Sequence, residues 1–250
     1  MIIDAHNHLG ARKTDDEDQI FAGVGTEEFL KTLDQSGIDH SIVFALFDRY
    51  GDYNPGNEFV RQAFTEHPDR LTGLFRVDPH MQNQRLEDVE KALQEDGFRG
   101  LKIHPRSERT LIDDEELIDP LVEIARDCGW PILFHTGEER WCRPYMLYII
   151  ARRFPNTRFV MGHSGQKAHR EGLWVARECS NVYLETSTLG HYEIVQRFID
   201  ELGPQRVLFG TDIPFRDPRV ELFKFELMDL PTREHELVMG ENAARLWKIK

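Results

Sequence analysis

Eight short apolar runs, separated by stretches with helical periodicity, dominate the pattern of hydrophobic and polar residues along the chain. Each run is nearly continuous in hydrophobicity, which is typical of parallel strands that are buried on both faces. We therefore predict eight parallel strands, over residues 2–8, 41–46, 71–77, 100–104, 131–136, 158–163, 182–187 and 207–212.

The intervening stretches carry helix signals. Phe29, Leu30 and Leu33 recur at helical spacing between Thr26, a predicted N-cap, and Gly37, a predicted stop. Eight strand–helix units in 250 residues predict a TIM (β/α)8 barrel, with residues 1–250 as a single domain. An open doubly wound sheet is the alternative, but it has fewer strands and usually a glycine-rich first turn, which "NHLG" is not.

Composition narrows the class of protein. A hydrophobic content of 40%, with 16 phenylalanines, is enough for a sizeable core. The net charge of −13 argues against a nucleic-acid partner, because phosphate binding needs clustered Lys and Arg. We see no signal-peptide pattern and no apolar run near the ~20 residues of a membrane span. Three scattered cysteines indicate free thiols, so we expect a cytoplasmic protein with no membrane partner.

Five histidines and one aspartate fall at the carboxyl ends of the predicted strands. In a TIM barrel the loops at that rim converge on one mouth, where active sites are built. One such histidine would more often be structural, but six polar groups at one rim indicate a functional site. The residues are His6 and His8 on the first strand, His104 on the fourth, His135 on the fifth, His163 on the sixth and Asp212 on the eighth.

Imidazole and carboxylate groups together are typical ligands of a divalent ion such as zinc. Such an ion lowers the pKa of its bound water towards ~7, and a carboxylate beside it can accept the proton. The residue types therefore predict a metal site, with Zn²⁺ as the first choice and Mn²⁺ as the second.

The same residues stand in motifs that resemble the amidohydrolase superfamily, and most closely its amidohydrolase-2 branch. That branch includes small hydrolases, lactonases and metal-dependent non-oxidative decarboxylases. The resemblance runs from residue 2 to about 248, over "DAHNH", "GLKIHP", "PILFHTG", "FVMGHSG", "LFGTDIP" and "GENAARLW". It implies one metal held by His6, His8, His135 and Asp212. It also implies catalytic roles for Asp212 and for His163, which would lie beside the metal-bound water as a base or orienting group.

A second metal is the less favoured alternative. Some superfamily members use the strand-six histidine, here His163, for a second ion that is bridged by a glutamate or a carboxylated lysine on strand four. Lys102 is on that strand and shares a face with His104. We favour one ion, with Lys102 and His104 in contact with a substrate carboxylate or carbonyl.

Weaker candidates follow the strand ends. Arg106, Glu138 and Trp141 are predicted to contact substrate, and an arginine there would suit an anionic one. Asp4 lies one layer below the two first-strand histidines and is expected to hydrogen-bond a ligand or a neighbour. The polar segment 10–25 has the character of a lid.

The main functional prediction is a metal-dependent hydrolase of a small amide, ester or lactone. The alternative is a metal-dependent lyase, either a non-oxidative decarboxylase or a hydratase, that acts on a small carboxylated substrate with the same ligands. A metal-binding barrel without catalysis is a third hypothesis, and a TatD-like nuclease is disfavoured because the fourth strand lacks a glutamate. The expected partner is a small molecule, with a homodimer as the default assembly.

Overall fold

The computed structural model describes residues 1–11, 23–47 and 51–250, with nothing stated of the Ala11 side chain. Most of the predicted lid, and Arg49 after the second predicted strand, lie outside the described residues.

All eight predicted strands are present, and an unpredicted short strand pairs with the first one in antiparallel fashion. The third predicted strand is split into β4 and β5 by Leu74. The strands are β1 (Ile3–Ala11), β2 (Gly23–Val24), β3 (His40–Ala45), β4 (Leu71–Gly73), β5 (Phe75–Arg76), β6 (Leu101–Ile103), β7 (Ile132–His135), β8 (Phe159–Gly162), β9 (Val182–Glu185) and β10 (Val207–Leu208).

The strands close into a barrel. The parallel order β1-β3-β4 forms one arc, and β5 to β10 form the other in chain order. The Leu74 amide joins the arcs by donating to the Val43 carbonyl at 2.8 Å. At the other seam, the amides of Ala5 and His8 donate to Phe209 and Ile213 at 2.9 and 2.7 Å. This closed parallel sheet confirms the predicted TIM barrel.

Helices follow the strands and cover the outside of the barrel. They are α1 (Thr26–Ser36), α2 (Asn54–Glu66), α3 (Leu86–Gln94), α4 (Pro105–Glu108), α5 (Glu115–Cys128), α6 (Pro144–Arg153), α7 (His169–Glu178), α8 (Tyr192–Leu202), α9 (Pro218–Glu226), α10 (Thr232–Glu236) and α11 (Asn242–Trp247). Two 3-10 turns (His163–Ala168 and Pro204–Arg206) and one π-helical segment (Leu237–Glu241) complete the described elements.

The ends of α1 correct one prediction and confirm another. Gly25, with φ −77° and ψ 164°, occupies the N-cap position, and Thr26 is already helical, so the predicted Thr26 cap is wrong. Gly37 ends the helix with φ 71°, a left-handed conformation that glycine adopts without a side-chain clash.

The barrel interior is apolar at the end where the strands begin. Ile3, Ile42, Leu133 and Val160 pack there against the fully buried Trp247 of α11. Helix α11 and these side chains fill that end, and the histidines and Asp212 singled out in the sequence lie at the opposite, carboxyl end of the strands. Among the described residues, no helix has the length and apolar character needed to cross a membrane.

Candidate metal centre

The first strand sends two buried imidazoles into the barrel. His6 and His8 are 0% and 5% exposed, and both rings make T-shaped contacts with the Phe44 ring. Burial is the main cause that lowers the pKa of each imidazole well below 6.5, and the nearby Lys102 cation adds to it. Both histidines are therefore neutral at pH 7, which is the form that can donate a lone pair to a metal.

Ligand spacing at this site fits a divalent cation. Asp212 Oδ1 lies 3.4 Å from His8 Nε2 and 3.8 Å from His6 Nε2. Ligands about 2.1 Å from a tetrahedral ion are about 3.4 Å apart, so each of these two distances is compatible with a shared ion. Within the described part of the chain, buried Asp212 Oδ1 and His135 Nε2 have no hydrogen-bond partner, as expected of groups that await a ligand.

His163 and His135 lie beside this set. Candidate ligand atoms of His6, His163 and Asp212 are all within 4.8 Å of one another, and the rings of His6 and His163 stack at 4.4 Å. The His135 ring lies 4.8 Å from that of His163 and stacks at 3.9 Å on the ring of His104. The structure thus brings together the five histidines and the aspartate at one end of the barrel.

A second group of potential ligand atoms, from His135, Glu139 and Cys142, also lies within 4.8 Å. Glu139 is already engaged by Arg106 at 2.9 Å, and the Cys142 thiol donates to the same carboxylate at 3.4 Å. Burial raises the pKa of Cys142 to about 12, which keeps it a thiol. The group formed by His6, His163 and Asp212 is therefore the better cation site.

Glu185, at the end of β9, orients two of the imidazoles. Its fully buried carboxylate accepts a hydrogen bond from His6 Nδ1 at 2.7 Å, which leaves His6 Nε2 as the acceptor that faces Asp212. The Ser187 hydroxyl donates to Glu185 at 2.9 Å and lies 2.8 Å from His163 Nδ1. Since the hydroxyl has one proton, Ser187 accepts from His163 Nδ1–H, and His163 Nε2 keeps its lone pair.

Asp4 ties the first strand to the last. Its carboxylate accepts hydrogen bonds from the Thr211 amide at 3.0 Å and the His6 amide at 3.2 Å, as well as from the Thr211 hydroxyl. Burial raises the pKa of Asp4 to about 7, although these hydrogen bonds oppose the shift. Asp4 therefore hydrogen-bonds the backbone of His6, a candidate ligand, and Thr211, which precedes the candidate ligand Asp212. The sequence predicted a hydrogen bond of this kind.

The loops at the strand ends hold two site residues in left-handed backbone conformations. His163 has φ 63° and Asp212 has φ 68°. Non-glycine residues in this region cost of order 1–3 kcal/mol and concentrate at functional sites. Burial also raises the pKa of the Asp212 carboxyl well above its usual value, against the attraction of the Lys102 cation.

Lys102 lies below these ligands, in the barrel interior. Its ammonium nitrogen is 3.2 Å from His6 Nε2 and 4.5 Å from the centre of the Phe44 ring. Burial, followed by the charge of Arg76, lowers the pKa of Lys102 to about 7. Lys102 thus contacts a candidate ligand directly, and it is not among the described residues that line the cavity above the site, so its roles as a substrate contact or a metal bridge stay predictions.

A cavity of about 190 Å³ opens above the site. Its described lining residues are His8, Phe47, Arg76, His104, His135, His163, Gln166, Asp212 and Phe215. The predicted substrate contacts Arg106, Glu138 and Trp141 are absent from that lining. Arg106 pairs with Glu139, Glu138 lies 3.3 Å from Lys167, and Trp141 stacks under Arg140.

Sequence reasoning missed Arg76, Glu185 and Ser187. The first two carried a recognisable signal, since each is a charged residue at the end of an apolar strand, in "GLFRV" and "VYLET". Ser187 had no comparable signal, because a serine after a strand is common in turns.

Neutral imidazoles and an aspartate that converge at the carboxyl end of a parallel barrel define a metal-dependent TIM-barrel enzyme. The chain belongs to the amidohydrolase family, whose family model matches residues 3–249. This confirms the resemblance seen in the strand-end motifs.

Solved structures with the same fold include several decarboxylases. 5-Carboxyvanillate decarboxylase from Sphingomonas paucimobilis superposes with a TM-score of 0.79 at 18% identity, over 100% of this chain and 99% of that one. The enzyme of that name from Novosphingobium aromaticivorans, in complex with manganese and 4-hydroxy-3-methoxy-5-nitrobenzoic acid, gives 0.79 at 16% identity, over 99% and 96%. 2,6-Dihydroxybenzoate decarboxylase from Rhizobium gives 0.78 at 17% identity, over 99% and 98%.

These neighbours correct the main functional prediction. They are decarboxylases, which remove a carboxyl group as CO₂. The expectation of an amide, ester or lactone hydrolase is therefore contradicted, and the alternative prediction of a metal-dependent lyase is favoured. The prediction failed because hydrolases and decarboxylases on this barrel present the same ligand residues, and motifs alone do not separate them.

Proposed function

We propose that this protein is a metal-dependent non-oxidative decarboxylase of a small aromatic carboxylate. The observation that carries the proposal is the position of Asp212, a buried carboxyl group that lines the cavity together with His8, His135 and His163. Replacement of a carboxylate by hydrogen at a ring carbon needs a proton donor beside that carbon, and a carboxyl group that takes up a proton from solvent can serve. The neighbours' activities and the aromatic walls of the cavity, Phe47 and Phe215, support the same reaction.

His6, His8, His135 and Asp212 would hold one divalent ion. When bound, the ion would draw electron density from the substrate's oxygens and stabilise negative charge that develops during the reaction. The manganese in the Novosphingobium enzyme makes Mn²⁺ the first ion to test, ahead of the Zn²⁺ that the sequence favoured. A second ion bridged by a carboxylated Lys102 stays the less favoured prediction.

The chain's own residues would then complete the reaction. The bond between the ring carbon and the carboxylate breaks, its electron pair stays on the ring carbon, and CO₂ leaves. That carbon takes a proton from Asp212, which is reloaded from solvent. His163, whose Nε2 keeps a lone pair, would orient a substrate hydroxyl or accept its proton.

Two further predictions belong to this proposal. Residues 1–250 would act as one catalytic domain, in keeping with the family match over 3–249 and with a barrel that runs from β1 to α11. A homodimer remains the expected assembly.

The test is a panel of hydroxybenzoates, including 5-carboxyvanillate and 2,6-dihydroxybenzoate, with the protein loaded with Mn²⁺ or Zn²⁺. We expect CO₂ release by the wild type and a loss of at least about 100-fold in Asp212→Asn, in line with the loss of a general acid. Asp229→Asn, away from the cavity lining, is the matched control. Absence of CO₂ from every carboxylate would overturn the proposal.

A further inference from the structure

Arg76 is a fully buried cation whose side chain lines the cavity. It ends β5, and its backbone is fixed on both sides. The Arg76 amide donates to Asn57 Oδ1 at 2.9 Å, while the Arg76 carbonyl accepts from Asn57 Nδ2 at 2.8 Å and from Gln84 Nε2 at 3.1 Å. The position of the guanidinium is therefore set by α2 and by the loop before α3.

Three neighbours hold the guanidinium itself. One terminal nitrogen donates to the Ala45 carbonyl at 3.0 Å, the other donates to Glu108 at 3.1 Å, and the Tyr53 ring lies 4.4 Å from Cζ. Glu108 is fixed in turn, since it accepts from the Tyr53 hydroxyl at 2.9 Å and from the His104 amide at 2.6 Å. A charged fork anchored in this way can present its remaining donors without losing side-chain entropy.

The anchors leave donor capacity unused. A guanidinium has five N–H groups, and the hydrogen bonds above use two of them. Arg76 Nε is buried and has no hydrogen-bond partner among the described residues. A buried charged donor without a partner is costly, and an anion in the adjoining cavity would satisfy it.

We propose that Arg76 is the anion-recognition residue of this cavity, which His8, His135 and Asp212 also line, and that its unpaired N–H groups bind a carboxylate of the substrate. This inference deepens the proposed function and rests on it for the identity of the substrate. It specifies a negatively charged ligand and excludes neutral esters, amides and lactones of the same size as good ligands.

The same arrangement assigns a positioning role to Glu108 and Tyr53. They touch Arg76 and keep the guanidinium at the cavity wall. Replacing Arg76 alone would leave Glu108 buried without its cation, so the test also needs a variant in which both members of the pair are neutral.

The experiment compares benzoate with benzamide, which have nearly the same shape and differ in charge. Dissociation constants are measured by calorimetry on the metal-loaded wild type, Arg76→Met, the double variant Arg76→Met/Glu108→Gln, and Arg61→Met on the exposed face of α2 as the control. These probes require no turnover, so failure of decarboxylation and failure of anion recognition are separate results.

We expect the wild type and Arg61→Met to prefer benzoate, and both Arg76 variants to bind it about ten- to one-hundred-fold more weakly with benzamide unchanged. Three results would overturn the inference. They are an equal loss of affinity for benzoate and benzamide in the Arg76 variants, an unchanged affinity for benzoate in those variants when folded, and a wild type that binds the two compounds equally well. If the single variant fails to fold, the double variant decides the outcome.

Discussion

Glu185→Gln is the perturbation that probes the arrangement of the site most sharply, because it changes one atom and keeps the side-chain shape. In the wild type, one carboxylate oxygen accepts hydrogen bonds from His6 Nδ1 at 2.7 Å, the His163 amide at 2.9 Å and the Ser187 hydroxyl at 2.9 Å. The other oxygen accepts from the Ser187 amide. All four donors point at a group with no exposed surface.

A glutamine cannot satisfy this set of donors. If its oxygen keeps the first three bonds, its NH₂ group faces the Ser187 amide, and one buried donor loses its acceptor at a cost of about 1–3 kcal/mol. The three remaining bonds change from charged to neutral acceptors, each weaker by about 1 kcal/mol. The lower cost of burying a neutral group offsets part of this loss, so we expect the free energy of unfolding to fall by about 2–4 kcal/mol.

The expected functional signature is a weaker metal site, since His6 would lose the partner that fixes its tautomer. Loss of such an outer partner typically lowers metal affinity 10–100-fold. Urea unfolding measures the stability change, and competition with a coloured chelator measures the Mn²⁺ and Zn²⁺ dissociation constants. Glu193→Gln, an exposed change on α8, serves as the control. A Glu185→Gln protein with wild-type metal affinity and an unchanged urea midpoint would refute the orientation argument.

Three further outcomes follow from the structure. Elemental analysis should find no divalent ion bound to His135→Ala and one ion per chain in Lys102→Ala. Two ions per chain in the wild type, with one of them lost in Lys102→Ala, would instead establish a bridged pair. Trp247→Ala should lower the free energy of unfolding by about 3–5 kcal/mol, because a fully buried indole at the closed end of the barrel is removed, whereas a urea midpoint near that of the wild type would contradict this packing. Burial raises the pKa of Glu221 from 4.5 to about 7, so the folded state binds its proton more tightly and Glu221 lowers stability as pH rises from 4.5 to 7. The free energy of unfolding of Glu221→Gln minus that of the wild type should therefore increase by up to about 3 kcal/mol between pH 4 and pH 8. If this difference does not vary with pH, the raised pKa of Glu221 is contradicted.

The sequence predicted the barrel and the rim residues because both depend on local patterns. Continuous apolar runs at regular spacing are what a closed parallel sheet needs, and the carboxyl ends of its strands meet at one place whatever the loops do. His104, His135 and His163 therefore stand together, as their positions after successive strands predicted.

The parts that the sequence could not predict depend on which buried groups pair across the barrel. Arg76 reaches Glu108 across 32 positions, and Glu185 reaches His6 across 179. Charged residues such as Arg106 and Glu138 follow strand ends just as well, yet they turn away and pair at the surface. Spacing in the chain does not distinguish these cases, because partner choice is fixed only when the strands close.

Central to this account is a divalent ion that assists loss of CO₂ while Asp212 supplies the proton. The most direct measurement is NMR of the reaction in D₂O with a hydroxybenzoate that carries ¹³C in its carboxyl group. We predict labelled CO₂ and bicarbonate, together with one deuterium on the vacated carbon, in a reaction that stops with chelator, resumes with Mn²⁺ and is lost in Asp212→Asn. Labelled carboxylate that persists unchanged in the metal-loaded wild type across the hydroxybenzoate panel would contradict the account.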